Sequence, residues 1–368
     1  MKITVAREPL KEALAWTQNL IEKKTPKAIL SNALFELNPE GLTITATDLK
    51  VGVQVHVPLS SNEEARFAVP AKHLHDILRE IPNEKVELDW KKGAWLHIKS
   101  GRSQFKVATL SAEEFPSMPD LPKEKDFFSV DAPLLKDMIA KTLFAASTDV
   151  SKFNLNGVLL ESLGGSTLRM VATDGHRLSL SDKKLSQEVN LEKSVLLPRK
   201  GVIELQKLIT EEDATLPMAL VGRNVVVERG EVRLFIRLVE GDFPNYQQVL
   251  PKNQSLKLKL NKDDFLSAIK RVSLLSQDHH PGIKFKISSG FLQLSCSNPD
   301  LGEAEEDIEC DYKGEALEIG FNYRYFLDIL NVLEDEILSL ELKDQVSPCL
   351  IRSEIDKGFQ TLIMPMRL

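Results

Sequence analysis

The sequence predicts an α+β chain made of three copies of one unit, on three observations. A strand-like start running into an amphipathic helix occurs three times, and a second strand-to-helix passage follows each about seventy residues on. Matching turns recur at Asp48, Asp174 and Asn298, separated by 126 and 124 residues, close to a third of the 368-residue chain. That length already exceeds one ordinary domain of about 100–200 residues, and a missed internal period would misassign every later element.

The first passages are KITVAREPLKEALAWTQNL from Lys2, FFSVDAPLLKDMIAKTLF from Phe127 and LKLKLNKDDFLSAIKRVSLL from Leu256. Leu10, Leu14 and Ile21 in the first, and Leu135, Ile139 and Leu143 in the second, fall at helical spacing, so each passage reads as a strand feeding a helix with one buried face. The second passages are FAVPAKHLHDILREI from Phe67, VLLPRKGVIELQKLI from Val195 and LEIGFNYRYFLDILNVL from Leu317. Pro70 and Pro198 stand at the helix starts, where a missing N–H costs little. Alternating strands closed by polar turns fill the rest, as in GLTITATDL from Gly41, STLRMVATDGHRL from Ser166 and GFLQLSCSNPDL from Gly290. Each unit ends on a strand leading to a proline, Pro116, Pro244 or Pro365. The repeats thus set domains at 1–122, 127–250 and 255–368, each with two helices and about eight strands. The joints contain Pro and Lys, as short exposed linkers do.

Hydrophobic content of 42% and charged content of 27% are those of a globular protein. Arg7, Glu8, Lys11 and Glu12 interrupt any signal-peptide core, and no run approaches the roughly 18 apolar residues of a membrane span, so a cytoplasmic protein is expected. Cys296, Cys310 and Cys349 are odd in number and widely spaced, which suits a reducing compartment. The net charge is −7, yet the six helical stretches together carry about plus 5, leaving about minus 12 elsewhere. A basic helical face on an acidic protein suits a polyanion. Five net charges support only loose backbone contact, and no recognition helix, zinc finger or stacking motif accompanies them.

Catalysis is not expected. Asp174 and His176 have no Ser or Cys elbow beside them, no G-x-x-x-x-G-K-[ST] loop is present, and the seven histidines show no metal-ligand spacing. Neither a metal nor a cofactor is predicted.

MKITVAREPL at the start, VATDGHRL from Val171, FPNYQQVLP from Phe243 and MPMRL from Met364 carry a resemblance that covers the whole chain. It resembles the beta subunit of bacterial DNA polymerase III, the sliding clamp family. The resemblance implies a non-catalytic processivity factor with clamp-topology domains. Two subunits would join head to tail as a homodimeric ring of six domains, encircling double-stranded DNA with twelve helices inside. Enclosure would explain the modest charge, since a topological link tolerates weak phosphate contacts that permit sliding. By the resemblance and by sign, the DNA-facing cations are Arg7, Lys24, Lys72, Lys136 and Lys141, with Arg199, Lys200, Lys207, Lys270 and Arg271. A separate machine would load the ring. The alternative is a monomeric peptide-binding module of the same fold.

Repeat comparison points to a binding site, because features found in one unit alone do not serve the shared fold. Thr47-Asp48, Thr173-Asp174 and Ser297-Asn298 are shared turn formers. Only the second unit continues Gly175, His176, Arg177, Leu178, and only the third ends in Leu362, Ile363, Met364, Pro365, Met366. In the family the second and third domains share a cleft for Gln-Leu-x-Leu-Phe motifs of the polymerase catalytic subunit, the clamp loader and other clamp-motif proteins. The matching positions are those residues with Leu155, Thr173, Pro244, Gln248 and Val249, then Asn322, Tyr325, Val346, Pro348 and Arg367. Gln248 stands where the resemblance implies a base, and Pro348 where it implies a small hydroxyl, so motif preference is expected to differ.

For the ring interface, GRSQFKV from Gly101 is basic and GEAEEDIE from Gly302 is acidic. Arg102 and Lys106 are expected to face Glu303, Glu305 and Glu306 of a second copy, with Phe105 and Ile77 packing on Leu274 and Leu275. A head-to-tail contact of this kind closes when the unit geometry repeats about every sixth of a turn.

Overall fold

The computed structural model describes residues 1–21, 27–91, 95–189, 191, 193–276 and 281–367. Six α-helices lie among them where the repeats place them: α1 Arg7–Gln18, α2 Ala71–Glu80, α3 Ala132–Thr142, α4 Arg199–Leu208, α5 Lys262–Val272 and α6 Tyr323–Leu330. Helix α1 buries Leu10, Ala13, Leu14 and Thr17, the i, i+3, i+4, i+7 stripe of a half-buried helix. Its N-terminal Arg7 N–H has no side-chain cap and donates to the Glu84 carbonyl at 2.7 Å instead. At α5 the Asn261 side chain accepts from the Asp263 and Asp264 N–H groups, with those acids in the first turn and Lys270 and Arg271 in the last, as the helix dipole favours. The helices stop short of the full apolar stretches, and α3 and α5 tighten into 3₁₀ turns at Leu143–Ala145 and Ser273–Leu275. No helix of the described residues is long and apolar enough to cross a membrane.

Contacts gather the chain into two compact units, Met1–Val130 with Ile203–Leu238, and Asp131–Val202 with Val239–Leu368. The middle repeat is shared out because its strands pair with those of its neighbours. Strand Val232–Arg237 bonds to Val51–Pro58, and strand Arg177–Lys184 bonds to Phe359–Ile363.

In the first unit a nine-stranded sheet runs through Val232–Arg237, Val51–Pro58, Gly41–Thr47 and Ala33–Asn38 near its centre. A four-stranded sheet orders Lys2–Ala6, Lys85–Trp90, Trp95–Ser100 and Ser103–Ala108, leaving the last as an edge. Helix α1 packs on α2 and on the strands at Gly41 and Val51. Phe67 stacks between Phe35 and Trp90, with centroids 5.5 and 4.8 Å away.

In the second unit an eight-stranded sheet runs Val195–Pro198, Gly157–Ser162, Thr167–Thr173, Arg177–Lys184, Phe359–Ile363, Cys349–Arg352, Ile337–Leu342, Leu256–Asn261. The accompanying four-stranded sheet orders Gly302–Glu309, Phe291–Asn298, Gly282–Ser288 and Leu317–Asn322, with the acidic strand at its edge. Phe265, Phe285, Phe321 and Phe326 fill the core beneath α5 and α6, with centroids 5.1 to 5.8 Å apart. Burying each such ring contributes about 1.5–3 kcal/mol.

Candidate functional site

The second unit builds its site on the turn between strands Thr167–Thr173 and Arg177–Lys184. Asp174 Oδ1 accepts from the His176 and Arg177 N–H groups at 2.8 and 3.0 Å, and Thr173 Oγ1 donates to the Arg177 carbonyl at 2.6 Å. Gly175, at φ 93°, is left-handed, and its N–H donates to Thr173 Oγ1 at 3.1 Å. These bonds spend the turn formers on shape and leave Gly175 and His176 exposed at its tip.

Strand Phe359–Ile363 lies beside this turn with Ile363 opposite Arg177 and Leu362 opposite Leu178. The register continues as the Met364 N–H donates to the His176 carbonyl at 2.8 Å, and the Met366 N–H then donates to the Gly320 carbonyl at 2.8 Å. The tail is therefore laced down by its backbone, while the Met364 side chain stays 37% exposed. Beneath it Leu159, Val171, Leu178, Leu180, Leu350 and Leu362 form an apolar cluster with Tyr246, joined by Phe243 and Leu250. Soft Met and Leu side chains over such a base make an adaptable apolar surface.

Arg177 holds the other wall. Its guanidinium bonds Asp174 at 3.1 Å, Asp328 and the Phe144 carbonyl, and stacks 4.5 Å from the Tyr325 ring. Burial, with the Asp174 charge nearby, pushes the Tyr325 hydroxyl above its ordinary pKa. Tyr246 is pinned by Arg169, which donates to its hydroxyl at 3.1 Å, and by Glu161, which accepts from it. Burial and the Glu161 bond raise its pKa. Arg169 itself forks onto Asp182, the residue directly opposite it, with both bonds at 2.6 Å.

Of the sequence-predicted positions, Thr173, Leu178, Leu362 and Ile363 are buried in the sheet, whereas Met364, Val249 and Val346 are exposed. Gln248, Pro244 and Arg367 are exposed, Leu155, Pro348, Pro365 and Met366 half-buried. Pro348 accepts a bond from Gln254 at 2.6 Å, and Val346 rides a turn whose Asp344 carboxyl accepts its N–H, which holds that carboxyl below the usual range. Asn322 caps α6 by accepting from the Arg324 N–H at 3.0 Å, a structural duty. Sequence reasoning passed over Tyr246, Phe144 and Asp328. Tyr246 lies inside the FPNYQQVLP segment, so an aromatic in that connector was the available signal; Phe144 and Asp328 join only through the fold.

The cations divide. Lys141 is not DNA-facing: it is 4% exposed, bonded to Asp137 at 2.8 Å and Asp356 at 2.7 Å. Arg7 turns onto the Ile81 carbonyl and Glu8, Arg271 pairs with Glu306 and Lys207 with Glu204. Arg199 and Lys200 are half-buried at the start of α4, whereas Lys72 and Lys270 are exposed and Lys136 half-buried on their helices. Lys24 lies outside the described residues.

Both predicted interface strands are sheet edges. Arg102 is exposed, Phe105 is 36% exposed, and Lys106 lies over Trp95 at 4.5 Å on the face opposite Phe105. Leu274 is 78% exposed, and Ile77 and Leu275 are half-buried. Glu303 and Glu305 point outward, but Glu306 does not join them. It alternates to the core-side face opposite Leu294 and binds Arg271, so it is taken from the expected interface.

Three domain profiles match in succession. The N-terminal, central and C-terminal domains of the DNA polymerase III beta subunit match residues 1–119, 129–245 and 247–367. The chain is 34% identical over 372 residues to the beta sliding clamp of Pseudomonas aeruginosa, covering all of both chains. It is similar to the solved DNA polymerase III beta subunit of that organism, with a TM-score of 0.93 at 34% identity over all of both chains. It is likewise similar to a griselimycin-bound sliding clamp of Bartonella birtlesii, with a TM-score of 0.93 at 35% identity over all of both chains. With three consecutive domain matches and full-length likeness in sequence and fold, the chain belongs to the DNA polymerase III beta subunit family, the beta sliding clamps.

Proposed function

We propose that this chain encircles duplex DNA as a homodimeric ring in the cytoplasm and tethers a replicative polymerase to it. The chain is a sliding clamp, a non-catalytic processivity subunit of a polymerase holoenzyme. Partners dock by a short linear motif of the Gln-Leu-x-Leu-Phe kind, and they include the polymerase catalytic subunit and the clamp loader. The domains span 1–122, 127–250 and 255–368. One observation carries the docking site: the tail from Met364 to Met366 is fixed by its backbone while the Met364 side chain stays exposed next to Leu362 of an apolar cluster. A site of this build takes an extended peptide, whose apolar side chains fill the surface and whose main chain pairs with the rim. Lys72, Lys136 and Lys270, with Arg199, Lys200 and Lys207, are the cations for loose phosphate contact.

Fluorescence anisotropy of labelled Gln-Leu-Ser-Leu-Phe tests the site. The intact chain is expected to bind saturably at micromolar concentration, about 8 kcal/mol, and a chain ending at Ile363 to lose that binding. A folded intact chain that does not bind would withdraw the cleft and its motif.

A further inference from the structure

The architecture of the Met364 site occurs a second time, in the first compact unit. Asp48 Oδ1 accepts from the Lys50 and Val51 N–H groups at 2.9 and 2.7 Å. Thr47 Oγ1 donates to the Val51 carbonyl and accepts from the Leu49 N–H, both at 3.0 Å. These are the bonds of Asp174 and Thr173, and Leu49 takes φ 74° where Gly175 takes 93°. Strand Val232–Arg237 lies beside this turn with Ile236 opposite Val51 and Phe235 opposite Gly52, matching Ile363 opposite Arg177 and Leu362 opposite Leu178. The Arg237 N–H reaches the Lys50 carbonyl at 2.8 Å, as the Met364 N–H reaches that of His176. Phe115-Pro116-Ser117-Met118 repeats Phe243-Pro244-Asn245-Tyr246.

The chemistry differs. A cavity of about 460 Å³ opens beside the first turn, with Leu49, Met118 and Phe235 as apolar lining and Lys50, Arg223 and Arg237 as charged lining. Lys50 replaces His176 and Arg237 replaces Met364; both are exposed, as is Arg223, and Leu49 is 44% exposed. Gly52 replaces Leu178, and the room is taken by Met118, whose Cε would lie 2.5 Å from a Cβ at that position.

We propose that this groove is a second peptide site, for a short extended segment in which acidic side chains flank an apolar one. The apolar residue packs on Leu49 and Met118, and the carboxylates meet Lys50, Arg223 and Arg237 through charge-assisted hydrogen bonds. The proposal rests on the Met364 site being a peptide cleft; the turn and register are common to the fold, and the cavity with Leu49, Met118, Lys50, Arg223 and Arg237 in its lining is what offers a binding surface here.

The test is anisotropy of fluorescein-labelled Asp-Leu-Glu-Phe-Asp against the full chain, with Gln-Leu-Ser-Leu-Phe titrated in parallel. Saturable binding is expected, weakened about tenfold or more by Lys50→Glu with Arg237→Glu and unchanged by Met364→Ala. The double variant is to keep its Gln-Leu-Ser-Leu-Phe binding, which shows that it folds and that the Met364 site stands independently. Absence of saturable binding overturns the proposal, as does equal binding of Asp-Ser-Glu-Ser-Asp, which would reduce the groove to plain charge attraction. Loss of the acidic peptide on Met364→Ala, with the double variant unaffected, would place it in the other cleft and also overturn it.

Discussion

Arg177 joins the turn, the tail register and the aromatic wall in one side chain. Its guanidinium serves Asp174, Asp328 and the Phe144 carbonyl and stacks on Tyr325, so its removal strands several polar groups at once. Arg177→Ala should cost about 2–3 kcal/mol in chemical unfolding and weaken the clamp-motif peptide, and Arg177→Lys should restore little because lysine lacks the fork. Unchanged unfolding midpoints would deny Arg177 this role. Asp356 ties Lys141 and Lys183 together at 2.7 and 2.6 Å, as Asp137 does at 2.8 and 2.7 Å. Burial alone would raise the Asp356 carboxyl, but the bonds from Lys141 and Lys183 outweigh burial and hold its pKa below the usual range. The folded value lies below the unfolded one of about 3.9, so its stabilisation is complete above that pH and is lost as pH falls through the folded value. Asp356→Asn should therefore lower the thermal midpoint at neutral pH and flatten its decline below about pH 4. Parallel profiles for parent and variant would show that the carboxylate is not held this way.

At the scale of elements, the strand-helix passages were legible because a 3.6-residue apolar period is a local property, and all six helices lie where it placed them. The sharing of the middle repeat between two units was not, since it depends on Val232–Arg237 and Arg177–Lys184 finding partner strands far along the chain. Lys141 was misread only partly for that reason: Asp356 lies 215 positions away, but Asp137, four positions before it, was a partner that helical spacing already offered. Glu306 was misread although strand alternation already separates it from Glu303 and Glu305, and that signal was in the sequence. The basic strand Ser103–Ala108 and the acidic strand Gly302–Glu309 each bond one neighbour and end their sheet among the described residues, and an open strand edge invites association. Arg102→Glu with Lys106→Glu should shift the chain toward monomer in sedimentation velocity, and Glu303→Lys with Glu305→Lys in the partner should restore the dimer. Sedimentation of the first double variant identical to the parent would remove these residues from the interface.

On the scale of the whole molecule, enclosure and charge make opposite demands on salt. A protein held to DNA by phosphate contacts alone loses affinity steeply as salt rises, whereas a closed ring stays on any duplex without ends. The net charge of −7 and the pairing of Lys141 and Arg271 with carboxylates leave few cations for a charge-driven grip, which favours enclosure. The most direct measurement is retention on nicked circular DNA after loading, followed by gel filtration at about 0.5 M salt before and after a single linearising cut. A sliding clamp stays with the circle through the high-salt column and is lost once the DNA is linear. Equal retention on both forms, or loss from the circle at high salt, would contradict encirclement.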